Sequence, residues 1–83
     1  MTLYKRYVEV VVLTGKQGEL RPLYMIWESH GVKTKYKIDK IYEIRKAASQ
    51  VGGCGVLYSC RIDGKDRRLF YEKDRWFIES YRP

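Results

Sequence analysis

The sequence predicts an all-β chain: one small antiparallel barrel of five or six strands, residues 1–83 forming a single domain. Three observations predict it. Apolar side chains recur at every second position along most of the chain, the period of a half-buried strand. Short pairs containing glycine or aspartate separate these runs, as hairpins require. Eighty-three residues make one domain, and a chain this short hides its strand edges best by curling the sheet on itself.

The elements follow in order. Val8, Val10 and Val12 share one face of a first strand, and Gly15-Lys16-Gln17-Gly18 turns the chain. Leu23, Met25 and Trp27 share one face of a second, with Pro22 at its start or on an edge because it donates no N–H. Ser29-His30-Gly31 leads to a third strand, in which Tyr36 and Ile38 alternate with Lys35, Lys37 and Asp39. Val56, Tyr58, Cys60 and Ile62 form a four-step stripe after the glycine-rich Gly52-Gly53-Cys54-Gly55. Asp63-Gly64 tolerates the positive φ values of a tight primed turn. Leu69 and Tyr71, then Trp76 and Ile78 beyond the Lys73-Asp74 turn, complete the pattern.

Residues 39–50 admit two readings. Asp39 would cap one short helix with a stripe of Ile41, Ile44 and Ala48. Ile41, Tyr42 and Ile44 favour a strand instead, which makes one long bent strand with a bulge at Asp39-Lys40 where the face switches. The strand is the preferred reading.

Composition bounds the rest. The hydrophobic share is 45%, and eight Tyr, two Phe and two Trp supply most of its bulk. A chain of this size hides roughly 60–65% of its unfolded surface, enough for one core without metal or disulfide. Met1-Thr2-Leu3-Tyr4-Lys5-Arg6 has no apolar leader core. Apolar runs such as Val10–Leu13 are far short of the ~20 residues of a membrane span, so no membrane partner and a cytoplasmic location are expected. Cys54 and Cys60 on one extended strand would lie roughly 20 Å apart, beyond the ~7 Å a disulfide allows. With a single histidine they make no zinc site. Reduced thiols and no cofactor are expected.

The runs RPLYMIWESHGVKTKYKIDKIYEIR and YSCRIDGKDRRLFYEKDRWFIE carry a Trp-turn-Tyr-x-Ile pattern, an Arg-x-Ile-x-Gly pattern and an aromatic-acid turn before a final Trp. In these features residues 8–79 resemble a family of small bacterial all-β domains of uncharacterised function. Some of its members lie beside DNA-repair polymerase genes, so the resemblance implies a nucleic-acid setting. It implies no active-site residues.

Catalytic chemistry finds little support. His30 sits in a turn and reads as solvated. Cys60 shares its stripe with Tyr58 and Ile62 and reads as a small core residue. Asp63 with Asp66, and Glu72 with Asp74, each flank a turn beside Lys or Arg, so local charge balance accounts for them. Gly52–Gly55 lacks the Lys-Ser/Thr of a phosphate loop. The expectation is a protein that is not an enzyme.

The formal charge is +7, which suits an anionic partner or mere solubility. It is concentrated in residues 31–50, where six cations face two carboxylates. Lys33, Lys35 and Lys37 project from one face at roughly 6.6 Å steps, and Lys40, Arg45 and Lys46 follow. The stretch RRLFYEKDRWF, residues 67–77, divides by parity. Leu69, Tyr71, Trp76 and Ile78 point to the core, while Phe70 and Phe77 point outward with Arg68 and Glu79. Two outward rings beside Arg67, Arg68 and Arg75 match a stacking platform for bases, and Tyr42 is a weaker candidate. The expected interface for single-stranded nucleic acid or RNA is therefore Lys33, Lys35, Lys37, Lys40, Arg45, Lys46, Arg68, Phe70 and Phe77. The alternative is a protein–protein adaptor, monomer or homodimer, whose Phe rings anchor in a partner pocket and whose edge near Pro22 or the N-terminus extends a partner sheet.

Overall fold

Every apolar stripe named above lies in a strand of the computed structural model, which describes residues 2–81. The strands are β1 (Tyr4–Thr14), β2 (Leu20–Ser29), β3 (Val32–Ala48), β4 (Cys54–Ile62), β5 (Lys65–Glu72) and β6 (Arg75–Ser80). Each pairs antiparallel with the next, and β6 pairs back onto β1, closing a six-stranded barrel. Its radius of gyration is 12.4 Å, near the ~13 Å expected of a 100-residue domain. There is no helix among the described residues, so none is long and apolar enough to cross a membrane.

Two strands bend to close the barrel. β1 pairs with β6 through Tyr4–Val8 and with β2 through Glu9–Thr14. β3 pairs with β2 only as far as Lys37, opposite Tyr24, and with β4 from Ile38 onward. Residues 39–48 are thus strand and not helix. The β3–β4 register shifts at Asp39, where the bulge was expected, and again at Tyr42. A further shift between Val11 and Val12 leaves Leu23 unpaired opposite β1, so Pro22 pairs with Val12 in its place. Leu23 was expected inside with Met25 and Trp27; the extra residue displaces it, and the fully buried position goes to Pro22.

The hairpin turns use positive φ as their residue types allow. His30-Gly31, Asp63-Gly64 and Lys73-Asp74 all lie in the left-handed region, which matches the twist of the flanking strands. Lys73 is the costly member, since its Cβ is crowded there. Asp74 gains a compensating contact, its Oδ1 accepting from the Tyr71 hydroxyl at 2.9 Å.

The barrel interior holds Met25, Ile38, Tyr58, Cys60, Ile62, Leu69, Trp76 and Ile78, with Val8, Val10 and Val12 packed against them. The Trp76 ring lies 4.7 Å from Tyr71 and 5.1 Å from Tyr58. Tyr58 buries a hydroxyl, which donates to the Leu20 carbonyl at 3.1 Å and so avoids the cost of an unpaired buried donor. Cys54 and Cys60 are both free, the first exposed and the second buried.

A second, smaller core lies outside the barrel wall. Phe70 and Phe77 pair directly across the β5–β6 ladder and stack with centroids 5.0 Å apart and planes 6° from parallel. Both are 0% exposed. Leu57 completes the cluster, and Ala47 and Val51 pack over it. The connection from Ser49 to Gly53 folds back across this outer face. It is pinned by Glu79, whose Oε2 accepts from the Gln50 N–H at 2.8 Å and the Ser49 hydroxyl at 3.2 Å. The other carboxylate oxygen of Glu79 faces Arg68 Nη1 at 3.3 Å. The outward direction of the two rings is as the alternation predicts, but their expected exposure is wrong. Parity assigns a side of the sheet; a loop from elsewhere in the chain decides whether that side is wet.

Candidate nucleic-acid interface

Past the Tyr24–Lys37 pair, β3 turns away from β2 to reach β4. The divergence opens a cleft of about 520 Å³ on the outer surface. Arg21 and Tyr24 come to it from β2, and Lys37, Asp39 and Lys40 from β3, with Leu13 from β1. The bulge at Asp39 places Lys37 and Lys40 on the rim together. The strand alternation sets Lys35 in the same row as Lys37, with its Nζ 4.5 Å from the centroid of the Tyr24 ring. Lys40 Nζ lies 5.4 Å from the ring of Tyr42, which is 49% exposed.

The electrostatics of this rim favour an anion. Its one carboxylate among the described residues, Asp39, is engaged elsewhere, Oδ2 accepting from the Gly64 N–H at 3.2 Å. Tyr42 donates its hydroxyl to Asp66 Oδ1 at 3.1 Å, which holds the ring in place. Partial burial, followed by this bond and the Asp66 charge, pushes the Tyr42 phenol above its ordinary range. Lys35, Lys37, Lys40 and Arg21 form none of the ion pairs found among the described residues. Stacking of a lysine over an exposed ring leaves its remaining donors in water, free for phosphate.

The nine residues expected from the sequence divide into four groups. Lys37 and Lys40 border the cleft, and Lys35 stands beside it over the Tyr24 ring. Lys33 and Arg45 lie on the same strand but are matched by carboxylates, Lys33 to Glu9 at 2.7 Å and Arg45 to Glu43 at 2.6 Å. The Glu9 hydrogen bond and charge push the Lys33 pKa up, holding it protonated. Lys46 borders a separate cleft with Gly53, Cys54 and Lys73. Arg68, Phe70 and Phe77 belong to the outer core: Arg68 lies 5.3 Å from the Phe70 ring while pairing with Glu79. The two Phe rings cannot stack on a base or anchor in a partner while the Ser49–Gly53 connection covers them.

Arg21 escaped the sequence reading because a lone arginine before a proline carries no pattern; only the bend of β3 brings it near Lys37. Lys65 escaped for a different reason, and Arg67 was read only as a flank of the outward rings. They pair with Ile62 and Cys60, so they occupy the core-facing register of β5, and cations on an apolar stripe were a readable signal. No family model, curated protein or solved structure matches the chain.

Proposed function

We propose that the chain is a non-enzymatic cytoplasmic module that binds single-stranded nucleic acid, RNA included, across the β2–β3 cleft. One observation carries this reading: Arg21, Lys37 and Lys40 border a single cleft, Lys35 stands beside it over the Tyr24 ring and Lys40 lies over Tyr42, and the only carboxylate among the cleft's described residues is turned to a backbone N–H. Cations along a groove with interleaved rings are the means by which sequence-tolerant proteins hold a single strand. The cations take phosphates and the tyrosines take base faces. Sequence preference is weak, because nothing in the cleft is arranged to read base edges. The resemblance to domains encoded beside DNA-repair polymerase genes leans the same way.

Fluorescence anisotropy with labelled oligonucleotides tests it. Four neutralised phosphates give a log–log salt slope of roughly −3 for a single strand. Lys35→Glu, Lys37→Glu and Lys40→Glu together abolish binding, and Tyr24→Ala weakens it by about 1–3 kcal/mol. Absence of binding by folded protein at low salt refutes the proposal.

A second reading has its own observation. Among the described residues, β3 is paired only on its β4 side from Ile38 to Ala48, and Ile44 beside this open edge is 55% exposed. A protein adaptor would add a partner strand here, and such capture would persist at salt concentrations that release phosphate contacts.

A further inference from the structure

One end of the barrel is unlike the rest of the inward-facing surface. Along β5 and β1 the core-facing register is apolar until the rim, where it turns cationic. Lys65 pairs with Ile62, Arg67 with Cys60 and Arg6 with Ile78, all partners whose side chains fill the core. Side chains directly paired across a ladder share a face, so three cations rise from the core side at one mouth. Trp27 and Tyr36 face the same opening, and Tyr81 edges it. The cavity lined by Lys65, Arg67 and these three rings measures about 570 Å³, within the range of small-molecule sites, roughly 300–1,000 Å³.

Cations outnumber the available carboxylates there. Lys65 and Arg67 form none of the ion pairs among the described residues. Of the two carboxylates among the described residues at the cavity, Glu79 has both oxygens engaged by Ser49, Gln50 and Arg68, which leaves Asp63. Arg6 is already committed, its guanidinium 3.6 Å from the centroid of Trp27 and donating to the Glu28 carbonyl. That arrangement braces the indole and leaves the rings of Tyr36 and Tyr81 to receive a planar group.

We propose that this mouth is a second binding site, for a phosphomonoester attached to an aromatic base. Lys65 and Arg67 hold the phosphate, Arg67 offering two parallel N–H donors, and the rings take the base. Two sources share this chemistry: a free nucleoside monophosphate and the phosphorylated end of a single strand. The site stands independently of the β2–β3 cleft, since no cation is common to both.

Backbone amide and indole NMR shifts on the full chain test the proposal, with adenosine monophosphate, adenosine and inorganic phosphate as separate probes. The monophosphate is expected to shift the Trp27 indole and the Lys65 and Arg67 amides and to bind at least tenfold more tightly than either half alone. Lys65→Glu with Arg67→Glu is expected to remove that preference while the Lys35, Lys37 and Lys40 surface is untouched. Equal response to adenosine and its monophosphate, or shifts outside this mouth, overturns the assignment. A 5′-phosphorylated oligonucleotide that binds tenfold better than its 5′-hydroxyl form, with the gain lost in the double variant, identifies a strand end as the source; a gain seen only with the free monophosphate identifies the nucleotide. Loss of oligonucleotide binding in the β3 lysine variants with retained monophosphate binding separates failure of the cleft from failure of the mouth.

Discussion

Replacing Phe77 by leucine tests whether the outer aromatic pair is structural. The ring is 0% exposed, stacked 5.0 Å from Phe70 and roofed by Ala47 and Val51. Truncation to alanine would cost about 3–5 kcal/mol. A domain of this length has roughly 4–12 kcal/mol in total, so alanine risks unfolding it. Leucine keeps most of the apolar volume and forfeits the ring pair, worth about 0.5–1.5 kcal/mol beyond burial; imperfect refilling brings the cost to about 1–2 kcal/mol. At 4–8 °C per kcal/mol for small domains, Tm falls by roughly 4–16 °C. Urea titration followed by tryptophan fluorescence reads the loss. Phe70→Leu should cost a similar amount, and the double variant should cost less than the sum of the two, by the stacking energy. Oligonucleotide affinity of the folded variants should equal that of the parent chain. Unchanged stability with weakened oligonucleotide binding would refute the reasoning, because it would place the rings against ligand and not under the Ser49–Gly53 connection.

Two further predictions concern the turns and the core. Lys73 occupies φ 50°, a region where an ordinary side chain costs about 1–2 kcal/mol and asparagine less; Lys73→Asn should raise stability by about 0.5–1 kcal/mol in calorimetry, and a lowered Tm would contradict the turn assignment. Burial pushes the Cys60 thiol up to about 11 from an ordinary value of 9.0. The unfolded thiol therefore ionises first, the native state retains the extra proton, and stability present below pH 9 is lost as pH rises toward 11. The raised phenol of Tyr58, also due to burial, acts in the same direction. Cys60→Ala should flatten the denaturation midpoint between pH 9 and 11, and a thiol reagent should modify exposed Cys54 at once but Cys60 only on unfolding.

Much of this protein was determined by its sequence alone. Alternation placed Tyr58, Cys60, Leu69, Trp76 and Ile78 inside and Lys33, Lys35 and Lys37 outside, because successive Cβ atoms on a strand leave opposite faces whatever the rest of the chain does. Asp63-Gly64 specified its hairpin, and Asp39 its bulge, through equally local chemistry. Tertiary structure decided what those faces meet. It set Glu9 against Lys33 across 24 positions, brought Arg21 beside Lys37 by bending β3, and laid Ala47 and Val51 over two outward phenylalanines. It also ended the barrel at Lys65 and Arg67, leaving core-facing cations in water. Side is a property of the backbone a few residues either way, whereas exposure and charge pairing depend on segments distant in sequence that only the closed barrel brings together.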